Sequence, residues 1–480
     1  MRNNLLYNLL LSISNLLFPL LSFTYAARIL GPAGIGKAQF ALSFAQYFAL
    51  FAALGIPVYG IKSIAAVKNS KEKVACTYFE LSALYFVASI VISIIYFSCI
   101  YYFPYFAQER NIYLIAGLLV LLNFTYSDWY YSGIEAFKTI TIRSIVVKAI
   151  ALLLIFSFVK SSADLVAYLW ILVFSILGNQ LYSLYDIISK SSFAGIQPEF
   201  KKHLKPLVFI FGATLASSIY TFWDTILLGF LSNVTAVGYY TASVKLTKLI
   251  IPLVIAFGGV LVPRIANHFG TNNEIEAKKL IANSYNFILF ITIPISTGLI
   301  LLAPELMLFF SGTQFVQATT TMQIVAVLPI LIGFGHLFAF QILIPMGKNK
   351  EVFLAMVYGL IINVILNFVL IPKFNDQGAA IATVITELVV SGGYLYYVRK
   401  SININFQSKL ILQSIGLSLL FIPIILFTRA IFTNTFIVTA ISISICCLLY
   451  FTVQHYLFNN NFVYQIFLLR ENKNSHEAEN

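Results

Sequence analysis

Charge is scarce in this chain: of its 480 residues only 10% are Asp, Glu, Lys or Arg, where a soluble globular domain carries about 25%. That deficit excludes a water-soluble fold, and a hydrophobic content of 60% with a mean hydropathy of +0.88 agrees. Cysteine is scarce as well. The four present, Cys76, Cys99, Cys446 and Cys447, show no C-x-x-C spacing, so neither a disulfide framework nor a zinc site is indicated. Nucleotide motifs are missing. "GPAGIG" (Gly31 to Gly36) follows no strand and lacks the Lys-Ser/Thr pair that cradles phosphates, which leaves a tight turn between helices. Acids are the rarer sign, 18 against 30 Lys and Arg, for a net charge of +12. The surplus does not point to nucleic acid, because the cations lie in short loops between apolar runs and form no basic domain with interleaved aromatics.

What the chain does have is apolar length. A bilayer core roughly 30 Å thick needs about 20 apolar residues in a helix rising 1.5 Å per residue, and such runs follow one another almost end to end. Charge clusters and Gly/Pro divide them into about fourteen expected spans, near 5–29, 38–61, 77–101, 111–128, 139–160, 164–187, 206–230, 236–263, 281–303, 323–346, 352–372, 378–398, 409–428 and 432–456. The expected fold class is an all-α integral membrane protein. Residues 1–27 mimic a signal peptide, but their apolar stretch exceeds the roughly 7 to 15 residues of a signal h-region and reads as a first span.

An even number of spans puts both termini on one side. Most Lys and Arg fall on that side; Arg28, Lys37, Arg110, Lys160, Lys373 and Arg429 fall on the other, and Lys148, Lys245 and Lys248 lie within spans. Short cytoplasmic loops carry the cation excess, so both termini are expected in the cytoplasm. The longest polar connection, "SKSSFAGIQPEFKKHLKP" (Ser189 to Pro206), divides the chain. The expected organisation is a six-helix lobe (1–188), a cytoplasmic linker (189–205), a second six-helix lobe (206–400), two appended helices (401–458) and a polar, disordered tail (459–480). A sparse internal echo supports two repeats: at an offset of 202, "IGK" (Ile35 to Lys37) matches "VGY" (Val237 to Tyr239) and Lys62 matches Arg264. Paired bundles with the substrate site between them are a common carrier architecture.

Ionisable groups inside a bilayer cost about 2.5 to 3.5 kcal/mol each on insertion scales, so they should face a wet cavity or a partner. The candidate cargo contacts are Arg28, Lys37, Arg143, Lys148, Lys245 and Lys248, and the candidate ion-coupling groups are Asp224 and Glu80. If Arg264 ends the eighth span, Lys245 lies nineteen residues away, roughly 28 Å, near the opposite surface. Cations arrayed in this way suit an anionic cargo, since guanidinium and ammonium groups hold phosphate well where water is partly excluded. The plainer alternative is that end-of-helix cations snorkel to the lipid headgroups. Asp224 is expected to pair with Lys245 or Lys248 or to bind a coupling cation, and His336 to be a hydrogen-bonded core histidine. Aromatics gather at span ends, as in "DWYYSG" (Asp128 to Gly133), where interfacial anchoring is the default reading and stacking against sugar rings the alternative.

Three stretches, "ARILGPAGIGKAQFALSFAQYFALFAALGIPVYGIKSIA" (Ala27 to Ala65), "DWYYSGIEAFKTITIRSIVVK" (Asp128 to Lys148) and "DTILLGFLSNVTAVGYYTASVKL" (Asp224 to Leu246), resemble the bacterial polysaccharide flippases of the Wzx, or O-antigen translocase, type. The likeness continues through "VPRIA" (Val262 to Ala266) and "GAAIATVITE" (Gly378 to Glu387). It implies the fold of multidrug and toxic compound extruders and of the lipid II flippase, two lobes around a V-shaped cavity. It also implies a cargo, an undecaprenyl-diphosphate-linked oligosaccharide moved across the cytoplasmic membrane, with Arg28, Lys148 and Lys245 matching cationic positions of the family that engage the pyrophosphate. Alternating access is the mechanism expected, coupled to H+ or Na+, with no cofactor, no enzymatic step, membrane lipids around it and polysaccharide polymerase machinery as a potential associate. Two rival readings are a cation-coupled drug exporter of the same fold, which would expose acidic groups to its substrates, and a membrane glycan polymerase, which would carry a large outer loop; every outer loop expected here is short.

Overall fold

The computed structural model describes residues 2–193, 197–271, 273–404, 409–456 and 458, with side chains from residue 10 onward apart from those at 213, 216–222 and 253, together with Tyr7. Along the chain run α1 (Arg2–Ala53), α2 (Ile56–Val67), α3 (Lys71–Tyr102), α4 (Arg110–Leu121), α5 (Asp128–Gly133), α6 (Phe137–Phe158), α7 (Leu165–Lys190), α8 (Lys201–Leu231), α9 (Val234–Lys248), α10 (Ile251–Gly270), α11 (Glu274–Leu301), α12 (Ala303–Ser311), α13 (Thr319–Val325), α14 (Leu328–His336), α15 (Asn349–Ser401), α16 (Lys409–Leu419), α17 (Phe421–Ile431) and α18 (Thr435–Tyr456). No strand occurs among the described residues. Nine of these helical stretches are long and apolar enough to cross a membrane, or ten if the bent α4–α5 pair is one span.

Each expected span falls on helix, and the departures have local causes. α1 changes direction at Gly31, whose φ of 68° is left-handed and suits a residue with no Cβ. α15 does the same at Asn375, φ 51°, so each of these long helices supplies two expected spans. The span expected at 236–263 is broken between Lys248 and Ile251. Pro252 stands in the first turn of α10, where its missing N–H costs nothing. α3 begins on an N-cap, Ser70 accepting from the Lys73 amide, and α11 on Asn273 accepting from that of Glu276. The polar tail expected at 459–480 lies outside the described residues.

By contact the described chain forms two compact units, one of Met1–Ala242, Ser311–Gln317 and Leu360–Ala382, the other of Ser243–Phe310, Ala318–Gly359 and Thr383–Asn480. In the first, Trp129 stacks on Tyr78 with ring centroids 5.4 Å apart and fits against Gly60, where any Cβ would collide with the indole. Ile56, Ile64, Leu81, Tyr85 and Ile140 complete that core. The second unit packs Val254, Ile288, Leu337, Ile342 and Tyr394 in one cluster. α3 shows the pattern expected of a lipid-facing helix: Ser89 and Ser93 are buried while Val87, Val91 and Ile94 are exposed. Small polar residues let helices approach closely, and the apolar face is left for acyl chains.

Candidate functional site

In the first unit the intramembrane charges fall into separate groups. Arg143, on α6, is buried and donates to Asp128 Oδ1 of α5 and to Ser183 Oγ of α7, with its guanidinium 5.6 Å from the centroid of the Tyr131 ring. Tyr131 in turn donates to Asp186 Oδ2 at 2.8 Å. Two long helices, α6 and α7, and the short α5 are tied together by this one cation. Lys148, five residues on along α6, is half-buried and donates to Asn15 Oδ1 of α1. Lys37 forms an ion pair with Glu109, in the connection between α3 and α4. Arg28 is exposed, three residues before the Gly31 break, and its Cγ would lie 3.2 Å from a Cβ at Gly312.

Lys245 and Lys248 belong to the second unit, at the C-terminal end of α9; Lys245 is exposed and Lys248 half-buried. Arg264 does not end its helix, which runs to Gly270, and counted from Val234 at the other end of α9 the two lysines are eleven and fourteen residues in, roughly 17 and 21 Å.

Both candidate coupling acids are enclosed. Asp224, 4% exposed on α8, accepts from Asn363 Nδ2 (2.9 Å) and Asn367 Nδ2 (2.8 Å) at Oδ1 and from Tyr240 OH (3.0 Å) at Oδ2. Asn363 and Asn367 are one helical turn apart on α15, so their carboxamides converge; both are fully buried, and Asn367 Oδ1 has no hydrogen-bond donor. Sequence reasoning named Asp224 but not these two asparagines, whose i, i+4 spacing in an apolar run was the available signal. Glu80, fully buried on α3, accepts from the Glu199 amide (2.6 Å), Lys202 Nζ (3.0 Å) and His203 Nε2 (2.9 Å). His203 Nδ1 faces Tyr59 OH at 2.9 Å, which fixes the imidazole between carboxylate and phenol. Glu80 thus fastens the start of α8 to α2 and α3. No group of three or more His, Cys, Asp or Glu side chains that would hold a metal occurs among the described residues.

His336, expected as a hydrogen-bonded core residue, is half-buried with Nδ1 lacking a partner. It precedes a π-helical turn, Leu337–Leu343. Elsewhere in the second unit an apolar crevice of about 430 Å³ opens between α11, α17 and α18, lined by Phe290, Pro294, Phe421, Ile443, Cys446 and Tyr450.

Comparison with known proteins agrees with this architecture. A protein of Escherichia coli K12 described as an O-antigen transporter is 26% identical over 84% of this chain and 97% of its own. A low-salt glycan biosynthesis flippase of Haloferax volcanii, Agl15, is 25% identical over 49% of this chain and 50% of its own. Among solved structures, the lipid II flippase MurJ in an inward closed conformation matches with a TM-score of 0.70 at 18% identity over 95% of this chain and 99% of that one. An inward-facing multidrug resistance transporter of the MATE family matches at 0.64 with 16% identity, over 82% and 98%. The family model described as polysaccharide biosynthesis protein matches residues 1–269. That match spans more than half the sequence and runs through the same stretches that resemble Wzx-type flippases, so the chain belongs to the polysaccharide biosynthesis protein family.

Proposed function

We propose that this protein is a flippase that carries an oligosaccharide linked to undecaprenyl diphosphate across the cytoplasmic membrane by alternating access, its termini on the cytoplasmic side. One contrast in the structure carries the choice of an anionic cargo. Of the acids within the spans, Glu80, Asp224 and Glu387 are buried and the half-buried Asp128 is paired with Arg143, whereas Arg28 and Lys245 are exposed. A cationic drug would meet no accessible carboxylate among the buried three; a diphosphate would meet guanidinium and ammonium donors of the kind that replace its lost hydration. Arg28, Lys148 and Lys245 are the cations assigned to the cargo. Arg143 and Lys37 form ion pairs with carboxylates and serve to hold their helices in place. The relatives described as an O-antigen transporter and as a glycan flippase support this reading.

Transport needs no bond to be made or broken, so the chain acts as a carrier. Asp224, Asn363 and Asn367 form the coupling site: Asn367 Oδ1 is buried without a donor beside the carboxylate, an arrangement of oxygens suited to Na+ or to a proton on Asp224. The apolar crevice of the second unit can take a stretch of the polyprenyl chain.

The test is complementation of a strain that lacks its O-antigen flippase. At equal expression, Arg28→Ala, Lys148→Ala and Lys245→Ala should each lower surface glycan about tenfold or more, the scale of one lost charge-assisted hydrogen bond of roughly 1.5–3 kcal/mol. Full surface glycan from all three variants would refute the assignment.

A further inference from the structure

Within the first unit the break of α1 and the turn between α8 and α9 meet backbone to backbone, and they do so twice in the same way. A Cβ on Gly36 would collide with the carbonyl oxygen of Val234 and lie 2.9 Å from the Gly238 amide nitrogen. A Cβ on Gly238 would collide with the carbonyl oxygen of Pro32 and lie 3.0 Å from its Cα. The residue numbers make the pattern plain. Val234 stands 202 residues after Pro32 and Gly238 stands 202 after Gly36, the offset of the internal sequence echo. Each glycine therefore packs against the residue equivalent to the one that packs against its own counterpart. Such reciprocity is the mark of an isologous contact about a two-fold axis, here between repeats of one chain.

The same end of the unit is closed by further contacts. Gly31 admits the Gln314 carboxamide where a Cβ would collide with it. Tyr239 OH donates to Gln317 Oε1 at 2.6 Å, and Ser232 Oγ donates to Asn375 Oδ1 at 2.7 Å, at the break of α15. Below Gly36 on the same face of α1, Phe40 packs edge-on against Phe230 and fills the space left by Gly229. One more turn down is Ser43, 1% exposed.

We propose that Gly36 and Gly238 are positioning residues of a gate: a reciprocal glycine clasp between the α1 break and the α8–α9 turn that closes one end of the transport passage. The proposal rests on the flippase reading, since a gate requires a passage. A close fit of backbone on backbone gives discrete closed and open arrangements, because a packed contact separates as a unit and does not stretch. Glycine is required at both positions by space and not by dihedral angle, so even alanine wedges the clasp. Arg28, three residues ahead of the break and packed on Gly312, places a cargo-binding cation on the gate itself, so an anion held there bears directly on whether the clasp can part.

The experiment reads the gate without any cargo. In full-length protein with the four native cysteines replaced and Ser43→Cys added as reporter, the rate of modification by a water-soluble maleimide is measured in detergent. Gly36→Ala and Gly238→Ala should each raise that rate about tenfold or more, the scale that overpacking by one methyl group imposes on a two-state equilibrium. Gly212→Ala, at a helical glycine with open space around it, should leave it unchanged. If Gly36→Ala is too poorly folded to purify, Gly238→Ala alone decides. Rates equal to those of the parent and of Gly212→Ala would overturn the clasp, whatever the protein transports; faster modification supports it even if the cargo is not a glycan lipid.

Discussion

At the scale of single residues, what a cation contacts depends on partners far away in sequence. Lys37 finds Glu109 and Lys148 finds Asn15, and nothing local to either lysine announces it. Hydropathy places these cations inside or at the ends of the expected spans. Which of them keep an accessible charge was illegible, because neutralisation is a tertiary event. Arg143 makes the cost concrete. Its side chain is 4% exposed and its carboxylate partner comes from another helix, so removing Asp128 leaves a buried guanidinium without its counter-ion. Asp128→Asn should destabilise the protein by about 3–5 kcal/mol, seen as a lower thermal midpoint in detergent, while Lys148→Ala, losing one hydrogen bond to a neutral carboxamide, should cost about 1 kcal/mol. Equal midpoints for the two variants would contradict the distinction.

At the scale of elements, Gly and Pro marked most of the breaks in advance: the turn at Gly31 and Pro32 lay open in the sequence. The break before Pro252 did not, because a proline near the middle of a long apolar run can equally sit in a kinked but continuous helix. Taking that stretch as one helix ending at Arg264 put Lys245 near a surface. The helix is instead broken between Lys248 and Ile251, and α10 runs on past Arg264 to Gly270. Glu80 was singled out by its place in a span, yet its role turns on how α8 starts. With the Glu199 amide, Lys202 and His203 all donating to it, the carboxylate holds the connection ahead of α8 against α3. Glu80→Ala strands those donors, at about 1–3 kcal/mol for each that stays buried, and should free the connection. Limited trypsin digestion at Lys201 and Lys202 should then be several-fold faster than in the parent, and an unchanged digestion rate would show that Glu80 does not fasten it.

At the scale of the whole molecule, membrane residence followed from a charge content far below the roughly 25% of soluble domains, and an all-helical fold from the length of the apolar runs. The echo at an offset of 202 is faint in the sequence because apolar residues substitute freely for one another on lipid-facing surfaces. It becomes legible where geometry forbids substitution, at Gly36 and Gly238. Glu80, Asp224 and Glu387 are buried while Arg28 and Lys245 are exposed, so the account stands on the sign of what is carried. That sign is measured most directly in vesicles containing only the purified protein. A diphosphate-linked oligosaccharyl lipid should cross between leaflets faster than in empty vesicles, the variant combining Arg28→Ala, Lys148→Ala and Lys245→Ala should lose that gain, and a cationic dye should not be moved. Transport of the dye, or undiminished lipid crossing by the triple variant, would contradict the account.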